Sequence, residues 1–258
     1  MTSQYTDHLA PEGLLTRGTV LVVPGRGETR AVYERFGRRL AADAYRVRVV
    51  DTPEPLGDDL DAGLDTLAAR LAEAVDGAAD GPGGTPAAPL VLVGVDSGAA
   101  AVAALVADPA RADRLRADAV ILAGLPGRAP AATEAWDEEL DVRTACPTHR
   151  GVLTDDTHVR RGELNTPVPA ALLERAHDSA TDLPQLVLVG DADPLADRDA
   201  LAVTAEKAAA ARLAVVHGAH HDVLNDKQHR SVAAEVVTFL EALREGLTPA
   251  VTVVSSTW

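Results

Sequence analysis

The chain has 258 residues, a formal net charge of −15 and a hydrophobic fraction of 47%, but only 3% of its residues are aromatic. A chain of this length and apolar content can bury a core, which excludes a disordered protein. The acidic charge argues against nucleic acid as a partner, because the phosphates would be repelled. The single cysteine excludes a disulfide framework and favours a reducing compartment.

The sequence also lacks the features of a secreted or membrane-spanning protein. Its first residues include acidic side chains and no basic segment, unlike a signal peptide. No apolar run reaches the ~18 residues that are needed to cross a bilayer. We therefore expect a cytoplasmic protein whose partner is a small molecule, with no membrane partner. A homodimer is compatible with the sequence.

Six short runs rich in Val, Ile and Leu are typical of strands that are buried on both faces of a parallel sheet. They lie at residues 19–23, 47–50, 90–93, 119–122, 186–189 and 213–216. Helical patterns separate them, at about 29–43, 59–79, 98–107, 197–211 and 227–245. This alternation predicts an α/β fold with a doubly wound, mostly parallel sheet of eight or slightly fewer strands and helices on both faces.

The spacing of these elements predicts one domain over residues 1–258, with its core at about 18–126 and 183–245. The polar, proline-punctuated segment at about 127–182 is far longer than the usual connection of about 2–6 residues, and we interpret it as a small cap insertion. Residues 77–89, rich in Gly and Pro, predict a surface loop. The C-terminal tail, residues 246–258, is expected to form an edge strand or to pack on the core.

Glycines beside polar residues follow four of the predicted strands. The four segments are residues 24–28 (PGRGE), 94–98 (GVDSG), 190–194 (GDADP) and 217–222 (HGAHHD). Ligands of a doubly wound sheet bind outside the carboxyl ends of its strands. The sequence therefore predicts that these four segments meet at a functional site.

Together the four segments resemble those of α/β-hydrolase-fold proteins, and the resemblance covers about residues 18–245. Residues 94–98 resemble the nucleophile elbow, a strained strand-to-helix turn flanked by glycines, with Asp96 at its centre. The resemblance implies that Asp193 is the acid and His221 the base of a catalytic triad. It also implies an oxyanion hole formed by the backbone N–H groups of Arg26 and Ser97. No cofactor and no metal are implied.

Asp96 stands where many members of this fold have a serine. A carboxylate there attacks carbon directly, and the resulting ester is hydrolysed by water that His221 activates. The sequence thus predicts a hydrolase of small organic substrates with the nucleophile of epoxide hydrolases and haloalkane dehalogenases. It matches neither subclass in detail. Epoxide hydrolases protonate the substrate oxygen with tyrosines of the cap, and the predicted insertion has no tyrosine. Haloalkane dehalogenases have a tryptophan directly after the nucleophile, and here Ser97 follows Asp96.

Two alternatives remain open from the sequence. In the first, the chain derives from an esterase or thioesterase whose nucleophilic serine is replaced by Asp96, and it performs lyase, cyclase or other non-covalent chemistry in a biosynthetic pathway. In the second, it is a catalytically silent ligand-binding module, in which Asp96 caps the following helix and Asp193 lies in a turn. Under any of these, substrate contacts are predicted from Gly25, Glu28, Trp136, His149 and His220.

Overall fold

The computed structural model describes residues 5–53, 56, 59–79 and 84–257. Within these ranges seven strands form one sheet in the order β1-β3-β2-β4-β5-β6-β7. The strands are Tyr5–His8 (β1), Thr19–Val23 (β2), Arg46–Val50 (β3), Leu90–Val95 (β4), Ala119–Ala123 (β5), Gln185–Gly190 (β6) and Ala211–Val216 (β7). Only β1 runs antiparallel to its neighbour, and the other pairs are parallel.

Nine α-helices lie in the described ranges and cover both faces of the sheet. They are Glu34–Ala42 (α1), Leu60–Asp76 (α2), Ser97–Val106 (α3), Pro109–Leu115 (α4), Trp136–Arg143 (α5), Pro147–Asp155 (α6), Ala170–His177 (α7), Arg198–Lys207 (α8) and His229–Arg244 (α9). Short 3₁₀ helices occur at Arg30–Tyr33 and Glu163–Asn165. None of the helices in these ranges combines the length and apolar character needed to cross a membrane.

Each central strand contributes to two hydrophobic cores, one on each face of the sheet. Successive side chains of a strand point to opposite faces. On β2, for example, Leu21 packs in the core formed with α2, α3 and α7, whereas Val20 and Val22 pack in the core formed with α1 and α9. Because both faces are covered, the inner strands show the continuous apolar runs from which they were predicted.

The six predicted strands are all present, with ends that differ by no more than two residues, and the doubly wound fold is confirmed. The prediction missed β1, a polar edge strand whose Asp7 is ion-paired to Arg46 and Arg48 of β3. It also missed α4, which begins at a proline and is capped by the Asp108 side chain. Apolar periodicity detects neither element, since each is short and mostly polar.

Other boundaries also differ from the prediction. The segment predicted as a helix from residue 29 begins instead as the 3₁₀ turn Arg30–Tyr33 before α1. Described residues 248–257 form neither helix nor strand, and Val251, Val253 and Val254 are largely exposed, so the predicted edge strand or packed tail is wrong there. Of the predicted surface loop, residues 80–83 lie outside the described ranges.

Candidate active site

Asp96 lies on a sharp turn between β4 and α3. Its backbone has φ 50° and ψ −120°, a conformation that residues with a side chain rarely adopt. Glycines on either side permit the turn: a Cβ atom on Gly94 would lie 2.5 Å from Cα of Ala99, and one on Gly98 would lie 2.5 Å from the carbonyl oxygen of Val23. The geometry is that of a nucleophile elbow with a carboxylate at its centre.

A hydrogen-bonded relay links this carboxylate to two other strand ends. His221, in the loop after β7, places Nε2 3.0 Å from Oδ1 of Asp96 and Nδ1 3.0 Å from Oδ2 of Asp193. Asp193 follows β6, and its Oδ1 accepts the backbone N–H of Leu195 at 2.8 Å. All three members are buried. The structure therefore brings together the three residues of the predicted triad.

Arg26, in the loop after β2, makes the closest contacts to Asp96. Its backbone N–H and its Nε both donate to Oδ2 at 2.8 Å, and its Nη2 donates to Oδ1 at 2.7 Å. With Nε2 of His221, four N–H donors from the described residues meet the Asp96 carboxylate. A carboxylate offers about four lone-pair positions, so these donors occupy its hydrogen-bonding capacity.

The guanidinium of Arg26 is also bound to the insertion. Its Nη1 donates to the carbonyl oxygen of Thr166 at 2.6 Å and to that of Leu164 at 3.3 Å. The sequence predicted a role for the backbone N–H of Arg26 but not the bonds from its side chain to Asp96 and to the insertion. The sequence shows only that a cationic residue lies among the glycines after β2. This pattern does not indicate which group the cation contacts.

Electrostatics fix the charges of the relay. Burial alone would raise the pKa of Asp96, but the Arg26 guanidinium and His221 outweigh it and hold that pKa well below its usual range. Burial would lower the pKa of His221, but the Asp193 and Asp96 carboxylates raise it to about 10. At neutral pH the ring is therefore an imidazolium between two carboxylates.

A second buried polar cluster supports the loop that contains Arg26. Oε2 of Glu28 accepts the backbone N–H of Gly25 at 2.8 Å and the hydroxyl of Tyr33. Burial and the nearby Asp222 carboxylate raise the pKa of Glu28 to about 7, against the opposing effects of Arg143 and Tyr33. The Glu28 carboxylate thus accepts a hydrogen bond from the backbone of the loop to which it belongs.

Arg143, at the end of α5, joins this cluster to the insertion. It is almost completely buried, and its Nη2 donates to the carbonyl oxygen of Arg26 and to Oε1 of Glu139, at 2.8 and 2.9 Å. Its Nη1 lies 3.6 Å from Oδ1 of Asp222. The guanidinium therefore fixes the carbonyl side of Arg26, the residue whose own backbone N–H would serve the oxyanion hole.

Glu28, His149 and Asp222 present potential ligand atoms within 4.8 Å of one another, which is close enough to hold a metal ion. These atoms already have partners, because Nε2 of His149 lies 2.9 Å from Oδ2 of Asp222 and Glu28 accepts from Gly25. The adjacent Arg143 guanidinium would repel a cation. We interpret the cluster as an internally bonded polar network.

The backbone of the histidine loop is bonded to the insertion as well. The N–H of His221 donates to the carbonyl oxygen of Val142 at 3.2 Å, and that of Asp222 donates to the carbonyl oxygen of Arg143 at 2.8 Å. These bonds fix the His221 loop against the last turn of α5. The position of the predicted base thus depends on the insertion.

A cavity of about 350 Å³ adjoins the relay on the side of Arg26. Its wall includes Arg26 from the loop after β2 and Ser97 and Gly98 from the elbow. The insertion contributes Arg160, Thr166 and Leu172. The cavity is at the small end of the range for ligand sites, about 300–1,000 Å³. The Arg26 guanidinium lies between this cavity and the Asp96 carboxylate, since its Nη1 bonds Thr166 in the cavity wall.

The remaining predicted substrate contacts lie in different places. A Cβ atom on Gly25 would lie 2.7 Å from Cβ of Asp96, so Gly25 packs directly against the elbow. Three others make contacts away from the lining of this cavity: His149 bonds Asp222, His220 bonds Asp226, and the Trp136 indole donates to Thr154. Their predicted roles in substrate binding stay predictions.

Comparison with known proteins supports the fold. No protein-family model matches the chain, and no curated protein matches its sequence. Among solved structures, it is similar to a soluble variant of the monoglyceride lipase of Saccharomyces cerevisiae, with 14% identity, a TM-score of 0.70, and coverage of 93% of this chain and 91% of that one. It is likewise similar to the monoacylglycerol lipase of Paleococcus ferrophilus, with 18% identity, a TM-score of 0.69, and coverage of 93% and 98%.

The enol-lactonase of Burkholderia xenovorans is also similar, with 17% identity, a TM-score of 0.60, and coverage of 92% of this chain and 95% of that one. These structures align over nearly their whole length with nearly the whole of this chain. At such low identity the similarity concerns the fold. The chain has the α/β-hydrolase fold, as its motifs predicted.

Proposed function

We propose that the chain is a hydrolase of small organic substrates that have an electrophilic sp³ carbon, and that Asp96 is its nucleophile. The proposal rests on one observation: a carboxylate on the strained elbow is hydrogen-bonded to a His221–Asp193 relay. Backbone strain of this kind is concentrated at functional sites. Alkyl halides and epoxides are the substrate classes with suitable carbons.

The first step forms an ester. Oδ1 of Asp96 attacks the carbon, and the leaving group departs with the electron pair of its bond. Oδ2 keeps its hydrogen bond from the Arg26 backbone N–H, at 2.8 Å, so that group holds one oxygen while the other reacts. An ionised carboxylate needs no base for this attack, and the low pKa of Asp96 keeps it ionised.

The second step hydrolyses the ester. Nε2 of His221 takes a proton from water, and the hydroxide attacks Cγ of Asp96. The bond between Cγ and the substrate oxygen then breaks, and His221 returns its proton to the departing alkoxide. The new carboxylic acid loses its proton to solvent. For an alkyl halide the sum is R–X + H₂O → R–OH + H⁺ + X⁻. For an epoxide the leaving oxygen stays attached and takes up that proton, so the sum is epoxide + H₂O → diol. In both cases Asp96 retains one oxygen from water.

Ester formation also prepares the base for its task. In the free protein two carboxylates raise the pKa of His221 to about 10, so the ring is protonated at pH 7. The ester on Asp96 has no charge, and one of these two carboxylates is thereby removed. The pKa of His221 therefore falls when the intermediate forms, and the ring becomes a base when a base is needed.

The experiment is turnover in H₂¹⁸O with a panel of alkyl bromides and terminal epoxides that includes neutral and carboxylate-bearing members, followed by mass spectrometry of the peptide that contains Asp96. The covalent route labels Asp96, because water attacks Cγ. Product that takes up ¹⁸O while Asp96 stays unlabelled contradicts the proposal, and so does the absence of turnover across the panel.

A pair of histidine variants tests the intermediate itself. His221→Ala should stop the reaction at the ester, which intact mass spectrometry detects as added substrate mass. His217→Ala is the matched control. His217 lies in the same loop after β7, but it is exposed and bonds Asp191, not a member of the relay. It should turn over without a stable adduct.

A second candidate is ligand binding or non-covalent chemistry in a site derived from an esterase. The saturation of the Asp96 carboxylate by four donors favours it, because a carboxylate held in this way has no free lone pair for attack. Asp96→Ser tests this candidate: it should hydrolyse p-nitrophenyl acetate while the wild-type protein gives no ¹⁸O label on Asp96. A labelled Asp96 eliminates it.

A further inference from the structure

The covalent route requires Asp96 to lose two of its four donors. The backbone N–H of Arg26 and Nε2 of His221 belong to the reaction, whereas the Nε and Nη2 donors of Arg26 cover the oxygens from the cavity side. While the Arg26 side chain stays in place, no substrate carbon reaches Oδ1. Something in the substrate must therefore displace the guanidinium.

A neutral substrate offers no compensation for that displacement. It would leave the guanidinium without its carboxylate partner in a buried position, where Arg26 is only 8% exposed. A ligand shifts a conformational equilibrium only by as much as its affinity differs between the two states. The ligand that pairs with the displaced guanidinium and not with the resting one is an anion.

The cavity has the composition for such a ligand. Arg26 and Arg160 both line it, and Glu163, which pairs with Arg160 at 3.2 Å, is the single carboxylate among its described lining residues. Ala101, Val168 and Leu172 supply an apolar wall. Nη1 of Arg26 already donates to the carbonyl oxygen of Thr166, so the guanidinium is in contact with a residue of the cavity wall.

From these contacts we infer that Arg26 exchanges its bond to Asp96 for a carboxylate of the substrate, so that the substrate class is a small carboxylic acid with an apolar body and a leaving group. The inference rests on the proposed function, because the displacement of the guanidinium is argued from the covalent attack by Asp96; the binding experiment that follows does not need turnover. Arg26 would thus select the substrate and expose the nucleophile in the same movement.

The experiment measures binding without turnover. Butanoate and its neutral isostere butanamide are titrated by calorimetry into the wild-type protein, Asp96→Asn, and the double variants Arg26→Gln/Asp96→Asn and Arg160→Gln/Asp96→Asn. In Asp96→Asn the guanidinium no longer has a competing carboxylate, so butanoate should bind roughly tenfold or more tightly than in the wild type, as expected for a charge-assisted pair. Butanamide should show no such gain.

The double variants assign the site. Arg26→Gln/Asp96→Asn leaves no unpaired charge at the elbow and should lose the gain, whereas Arg160→Gln/Asp96→Asn should keep it. Equal butanoate affinity in wild type and Asp96→Asn overturns the inference. Retention of the gain without Arg26, or its loss only without Arg160, also overturns it.

A measurement on the unaltered protein accompanies these variants in case one of them does not fold. Oxirane-2-carboxylate should be hydrolysed with a higher kcat/KM than oxirane-2-carboxamide, by roughly tenfold or more. Equal values for the two compounds contradict the inference. The two proposals fail separately: binding as expected with no ¹⁸O on Asp96 removes the covalent route alone, and labelling with no preference for the anion removes only the exchange.

Discussion

Arg26 and Asp96 form a buried, bidentate ion pair, in which Nε and Nη2 of the arginine lie 2.8 and 2.7 Å from the two carboxylate oxygens. They are 70 positions apart in the sequence, and each follows a different strand of the sheet. Arg26 contributes three of the four donors to the Asp96 carboxylate, and His221, which is bonded to Asp193, contributes the fourth. The resting site is therefore charged but internally balanced.

The first prediction concerns the cost of breaking this ion pair. Arg26→Gln leaves the buried Asp96 and Asp193 carboxylates with the single positive charge of His221 between them, and should lower the free energy of unfolding by about 3–5 kcal/mol. Adding Asp96→Asn removes the stranded charge and should restore most of the loss. Urea unfolding of the two variants measures both values. Additive losses in the double variant would show that the two side chains are not coupled.

The second prediction concerns the charge of His221. Its folded-state pKa, about 10, lies above the ordinary value of 6.5, so its contribution to stability is complete below pH 6.5 and is lost as the pH rises to about 10. Asp96→Asn removes one of the two carboxylates and should lower this pKa. NMR titration of the imidazole signals, with His221→Ala for assignment, measures the shift. An unchanged pKa of His221 in Asp96→Asn contradicts the proposal that loss of the Asp96 charge turns this ring into a base.

The third prediction concerns Glu28. Burial raises its pKa from 4.5 to about 7, so between these values the folded chain holds a proton that the unfolded chain has released. Stability should consequently fall as the pH rises from about 4.5 to 7. Glu28→Gln should flatten this decline, because the amide keeps an acceptor for Gly25 without a charge. The free energy of unfolding, measured between pH 4.5 and 7, tests this prediction. Glu206→Gln, at an exposed position, is the control for the change in net charge. Equal slopes in wild type and Glu28→Gln would refute the prediction.

The fourth prediction concerns the close packing behind the elbow. A Cβ atom on Gly98 would lie 2.5 Å from the carbonyl oxygen of Val23, so Gly98→Ala must push α3 away from β2. Overpacking of this kind costs about 1–3 kcal/mol. In α6, Gly151 has nothing within 4 Å of such an atom, and Gly151→Ala should stabilise the chain by about 0.5–1 kcal/mol. Thermal unfolding compares the two; equal effects would count against the packing argument.

The sequence was sufficient for the sheet and for the elbow, for a physical reason. Strands that are covered on both faces require uninterrupted apolar runs, and a turn without room for Cβ atoms requires glycines such as Gly94 and Gly98. Both requirements act on residues that are close together in the chain. A single sequence therefore records them directly.

The contacts of Arg26 could not be predicted in the same way. Whether its side chain reaches solvent, substrate or Asp96 depends on how β2, β4 and residues 164–166 pack, and no local pattern encodes that arrangement. The short edge strand β1 was missed because it is polar, and because its Asp7 is ion-paired to residues of β3 that lie 39 and 41 positions away in the sequence. Long-range polar pairing is the information that a periodicity analysis does not contain.

The backbone bonds from His221 and Asp222 to Val142 and Arg143 have a consequence for engineering. A lid that is only laid over an active site can be exchanged for that of a relative to alter substrate range. In this chain the same exchange would withdraw the acceptors that fix the histidine loop, unless the last turn of α5 is kept. Thr144 and Ala145 also donate to Asp226, which accepts from the N–H of His220. Chimeras should therefore join after Ala145, so that new specificity is built from residues 146–182.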